Sequence, residues 1–124
     1  MKHTILVVDD ERDICDLFQD ILTQEGYQVF TATNGQEAIS LGKQNRFDLA
    51  LLDIKMPGMD GIEAFCELKK VKKDMEVIIL TGHGTLKTAK QAMGLGAYDY
   101  LTKPFDLGLV KNIIREALER NEGR

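Results

Sequence analysis

Several things are scarce in this sequence, and each scarcity excludes a class of function. There are two cysteines, Cys15 and Cys66, and they form no metal-ligand spacing. They read as buried thiols in a reducing cytoplasm. Positive charge is not in excess: 16 Lys and Arg stand against 20 Asp and Glu, a net charge of −4. A nucleic-acid surface needs clustered cations, so direct nucleic-acid binding is not expected. No apolar run approaches the length of a membrane span. The first run, residues 5–8, is too short for a signal peptide and ends in acids, which gives the expectation of a cytoplasmic protein without membrane contact. A phosphate-cradling glycine loop is missing too. "GHGTLKT" (residues 82–88) has Leu86 where a P-loop requires glycine before its lysine, so it reads as a turn into a helix. Linkers and low-complexity tracts are absent. What remains is a chain of 124 residues, 44% hydrophobic and 29% charged, read as a single domain over residues 1–124.

One pattern then recurs five times. Residues 4–9 read as a buried strand, and Ile14, Leu17, Phe18, Ile21 and Leu22 follow at helical spacing, with Gly26 as the stop. Residues 28–33 form a more polar strand, followed by a short helix for which Asn34 and Glu37 have capping-box spacing. Residues 48–53 and 76–81 are strands apolar on both faces. The helix after the first of these turns Ile62, Phe65 and Leu68 inward. The helix after the second turns Ala89, Ala92 and Met93 inward and ends near Gly94 and Gly96. Residues 98–102 are the fifth strand. Asp106 is placed to cap a last helix carrying Val110, Ile113, Ile114, Ala117 and Leu118. Strands alternating with helices predict an α/β fold: a doubly wound, five-stranded parallel sheet, (βα)5, with right-handed crossovers.

In such folds ligands bind beyond the carboxyl ends of the strands. Strand one ends at Asp9 and Asp10, strand three at Asp53, strand four at Thr81, and strand five just before Lys103. Any one of these is ordinary turn or surface chemistry. Together they gather three carboxylates, a hydroxyl and an ammonium at one edge of the sheet. Clustered carboxylates repel, and a hard divalent cation relieves the repulsion. All-oxygen ligands without His or Cys favour Mg²⁺, which completes its shell with water and phosphate oxygens. A carboxylate can itself accept a phosphoryl group. Asp53, alone on its strand and facing the pair, is the candidate.

"ILVVDDE", "LALLDIKMPGMDG", "VIILTGHG" and "GAYDYLTKPF" together resemble the signature segments of receiver domains of two-component response regulators. The resemblance runs from about Ile5 to about Leu118. It implies the flavodoxin-like strand order 2-1-3-4-5 and phosphoryl transfer to Asp53 from a histidine kinase or a histidine phosphotransfer protein. It also implies Mg²⁺ held by Asp10, Asp53 and the main-chain carbonyl of Lys55, with Asp9 acting on the ion mainly through water. Thr81 and Lys103 would bind phosphoryl oxygens, and the Lys103–Pro104 bond would be cis. Thr81 and Tyr100 would form a switch biasing the surface of helix four, strand five and helix five. Lys87, Lys90 and Lys111 lie on its two helices, and self-association on phosphorylation is implied there. Asp13, Ile14 and Leu17 would meet the histidine-bearing partner. Gly58 and Gly61 would shape the loop after Asp53, Gly82 would leave the phosphoryl site open, and His83 is either a rate-tuning or a solvated loop residue.

Two other classes are weighed against this signalling switch. An aspartyl phosphatase would need a second acid for turnover and a specificity cap, and neither is found. A phosphorylation-independent binding module would carry the acids as relics. The output pathway stays open, including a stand-alone phosphorelay shuttle, since the polar tail "ERNEGR" fits either a natural end or the edge of a longer regulator.

Overall fold

The computed structural model describes residues 2–55, 60–82 and 86–122. Strands β1 (Thr4–Val8), β2 (Gln28–Ala32), β3 (Leu49–Asp53), β4 (Glu76–Thr81) and β5 (Asp99–Thr102) alternate with helices α1 (Arg12–Gln24), α2 (Gly35–Gln44), α3 (Gly61–Val71), α4 (Leu86–Gly94) and α5 (Leu107–Glu122). All pairings are parallel, in the order β2-β1-β3-β4-β5. The expected doubly wound sheet and its flavodoxin-like order are both present.

Side-chain alternation along the strands divides the core into two layers. Ile5, Val7, Leu49, Leu51, Ile78 and Leu80 pack on one face against Phe18 and Leu22 of α1 and Val110, Ile114 and Ala117 of α5. Leu6, Val8, Ala50, Leu52, Val77 and Ile79 pack on the other against Ala38 of α2, Phe65 and Leu68 of α3, and Ala89 and Ala92 of α4. β3 and β4 are buried along their whole length, which is why their sequences are apolar without alternation. Cys15 on α1 and Cys66 on α3 belong to helices on opposite faces, and neither forms a disulfide.

Element ends differ from the sequence reading by about a residue. Asp9 leaves β1: its N–H still bonds the Ala32 carbonyl, but its Oδ1 accepts the Glu11 N–H. Asp48 falls just before β3: its N–H donates to the Thr4 carbonyl and its carbonyl accepts the Glu76 N–H, while its side chain accepts the Thr4 N–H. The Asn34 box forms on one side as expected, with Oδ1 accepting the Glu37 N–H at 2.8 Å. The return bond from Glu37 goes to the Thr33 N–H instead, one residue earlier than in the standard box. Asp106 caps α5 through the Leu109 N–H.

Candidate functional site

The strand order reverses between β1 and β3, because the chain adds β2 on one side of β1 and the later strands on the other. Their carboxyl ends open a crevice there. Val8 pairs with Leu52, so Asp9 and Asp53 emerge as neighbours. Thr81 ends β4 opposite Thr102, and the Lys103 N–H bonds the Thr81 carbonyl, which brings Lys103 in from β5. The Lys103–Pro104 peptide is cis.

The sequence-predicted residues do converge. One carboxylate oxygen from each of Asp9, Asp10 and Asp53 lies within 4.8 Å of the others. Asp9 and Asp53 are buried and Asp10 is exposed. Lys103 Nζ lies 3.1 Å from Asp9 Oδ2 and 3.3 Å from Asp53 Oδ2. Glu11, to which the sequence reading gave no role, joins them with Oε2 at 3.3 Å from the same nitrogen. Asp53 Oδ1 accepts the Lys55 N–H at 2.9 Å, which fixes the carboxylate and starts the turn after β3. Thr81 is buried, and its hydroxyl donates to the Gly82 carbonyl at 3.1 Å.

The electrostatics describe an edge short of positive charge. Burial, and then the neighbouring Asp9 carboxylate, push Asp53 up to about 6, against the opposing pull of the Lys55 N–H and Lys103. Asp9 is raised by burial as well. Burial alone would lower Lys103, but its 3.1 Å ion pair with Asp9 and the charge of Asp53 outweigh that and hold it as an ammonium, above its ordinary range. One lysine thus serves several acids. Asp9 Oδ2, fully buried and close to that lysine, has no partner in hydrogen-bonding geometry among the described residues. A buried, under-satisfied carboxylate oxygen beside two further carboxylates fits a hard cation, so the edge is an acidic pocket able to bind a metal.

The flanking features follow from backbone geometry. A Cβ on Gly61 would lie 2.4 Å from the Ile54 Cα and carbonyl oxygen, so only glycine lets α3 begin against the segment that follows Asp53. A Cβ on Gly82 would meet no atom of the described residues within 4 Å. Tyr100 is half-buried and packs on the α2–α4 side of the sheet. Asp13, half-buried Ile14 and Leu17, which is 40% exposed, lie on the first turns of α1 beside the acids. Lys87 and Lys90 are exposed on α4, and Lys111 is half-buried on α5. Gly58 and His83 lie outside the described residues. No helix among the described residues is long and apolar enough to cross a membrane.

Comparison with known proteins bears on the fold and the family. Residues 5–115 match the response regulator receiver domain family. The chain is 39% identical over 118 residues to sporulation initiation phosphotransferase F of Bacillus subtilis, covering 95% of each. It is 41% identical over 114 residues to the transcriptional regulatory protein ZraR of Klebsiella oxytoca, covering 92% of this chain but only 26% of that one. Among solved structures, a response regulator receiver domain protein from Clostridium thermocellum superposes with a TM-score of 0.91 at 37% identity, covering 97% of both chains. With nearly the whole fold matched and the strand-end residues gathered at one edge, the chain belongs to the response regulator receiver domains of two-component signalling.

Proposed function

We propose that this receiver domain takes a phosphoryl group from a phosphohistidine onto Asp53 in a Mg²⁺-dependent reaction. The observation that carries this reading is the buried Asp53 carboxylate, held by the Lys55 N–H and faced by Lys103, Asp9 and Asp10. An Asp53 oxygen attacks phosphorus in line. The new O–P bond forms as the N–P bond breaks, and the bonding pair returns to the imidazole nitrogen of the donor. Lys103 offsets charge on the phosphoryl oxygens, and the Thr81 hydroxyl turns from the Gly82 carbonyl to donate to one of them. Asp10, Asp53 and the Lys55 carbonyl would hold Mg²⁺, with Asp9 acting mainly through water. When bound, the ion supplies further neutralisation of phosphoryl charge.

The phosphoryl group then biases Thr81 and Tyr100, and through them the surface of α4, β5 and α5. Leu86 and Leu109, 45% and 51% exposed, give that surface apolar points for self-association or partner binding. Asp13, Ile14 and Leu17 receive the kinase or phosphotransfer protein. A phosphorelay role is favoured by the similarity, over 95% of both chains, to a protein named as a phosphotransferase. Output through a larger regulator is the second reading, since the chain spans about a quarter of the transcriptional regulators it matches. The test is transfer from a phosphorylated histidine kinase with and without a chelator. Transfer should need the metal and fail in Asp53→Asn; label acquired equally by that variant contradicts the assignment.

A further inference from the structure

Glu11 occupies the N-cap of α1, a position that favours Ser, Thr, Asp or Asn because a short side chain reaches the first-turn amides. Its side chain makes no capping bond. The backbone alone does the structural work: the Glu11 carbonyl accepts from the Ile14 and Cys15 N–H groups, and its N–H donates to Asp9 Oδ1. The carboxylate, 61% exposed, instead turns toward the crevice and meets the ammonium that Lys103, 92 residues away in sequence, brings in from β5.

An ammonium has three N–H donors, and that of Lys103 faces three carboxylates. Asp9 and Asp53 lie at the bottom of the crevice and Glu11 at its rim. The nitrogen is therefore drawn in two directions. We propose that Glu11 is a positioning residue for Lys103, sharing the ammonium so that it stands 3.1–3.3 Å from all three acids and does not close to the about 2.7–2.9 Å of a full charge-assisted bond on Asp9 and Asp53. The inner carboxylates are then left available to a divalent cation, and the ammonium stays within reach of an incoming phosphoryl oxygen. As Lys103 exchanges Asp53 Oδ2 for that oxygen, Glu11 is the contact it keeps. The proposal rests on the phosphoryl-transfer reading for its consequence, but not for the position of Lys103.

The test has two arms. In the first, Mg²⁺ affinity is measured by calorimetric titration for the unmodified protein, Glu11→Ala, Lys103→Met and the double variant. Alanine removes no capping bond, and circular dichroism checks the fold. Glu11→Ala should weaken Mg²⁺ binding by about two- to fivefold, the equilibrium factor of an exposed ion pair, and should do so distinctly less in the Lys103→Met background. The same loss in both backgrounds means that Glu11 acts only by through-space charge and overturns the proposal, as does no loss at all. In the second arm, a metal-free crystal structure of Glu11→Ala should show Lys103 Nζ moved inward onto Asp9 and Asp53; an unmoved nitrogen overturns the proposal. If the unmodified protein bound no Mg²⁺, the phosphoryl-transfer reading would fail instead, and the metal-free structure would still decide where Glu11 holds Lys103.

Discussion

Replacing Asp53 with asparagine should stabilise the metal-free protein at neutral pH, although it removes a partner of Lys103. Burial and Asp9 raise this carboxyl from its ordinary 3.8 to about 6. The folded state therefore binds the proton more tightly than the unfolded chain. The associated stability is complete below pH 3.8 and is lost as pH rises through about 6. At about 1.4 kcal/mol per pH unit, the penalty above pH 6 is at most roughly 3 kcal/mol. Asparagine resembles the neutral form and carries no such penalty. Lys103 keeps Asp9 and Glu11 as partners. Urea unfolding of both proteins in chelator, from pH 4 to 8, measures the difference. It should be near zero at the acid end and reach about 1–3 kcal/mol at pH 7, the lower figure allowing for the lost Lys103 contact. A variant less stable than the parent at pH 7, or a difference independent of pH, would refute the claim that Asp53 is held ionised at a cost.

Other perturbations have equally definite outcomes. Mg²⁺ should raise the melting temperature by mass action, about 1.4 kcal/mol of stability at ten times its dissociation constant, and Asp10→Ala should abolish the shift in a thermal melt. Gly61→Ala should cost at least about 2 kcal/mol in urea unfolding, because its Cβ would collide with the Ile54 backbone rather than with a flexible side chain. Arg120→Ala should cost about 2 kcal/mol by the same measurement. It removes the two 2.9 Å bonds to buried Glu76 and the guanidinium lying 4.7 Å from the Tyr98 ring centre, discounted because Arg120 is half exposed. Tyr100→Ala should leave phosphate uptake from a small donor largely intact while weakening phosphorylation-induced association in sedimentation, whereas Ile14→Ala should slow transfer from a kinase alone.

The parts legible in the sequence share a physical reason. β3 and β4 are buried on both faces, so their apolar runs stand out, and the polar residue that ends each run marks the edge of the sheet. Asp53 and Thr81 stand at those two positions. Parallel register then places Asp9 beside Asp53 with no further information. What stayed hidden depended on long side chains, whose reach has no period. Glu11 read as one more acid after Asp9 and Asp10, and nothing local says that it turns toward Lys103 rather than toward its own helix. Arg120 lay in a polar tail, yet it crosses the opposite end of the sheet to satisfy Glu76, 44 residues earlier. The end of β1 shifted where a carboxylate captured a nearby amide, as Asp9 does for Glu11. Such a capture competes with the sheet ladder and does not disturb the apolar pattern.

The central claim is that Asp53 accepts the phosphoryl group, and intact-mass spectrometry tests it most directly. The protein is incubated with Mg²⁺ and acetyl phosphate, and the adduct is then located by borohydride reduction and peptide sequencing. A single phosphoryl adduct should form only with the metal present, map to Asp53, and be absent from Asp53→Asn. An adduct of equal yield on that variant, or one mapped to Asp9 or Asp10, would contradict the account.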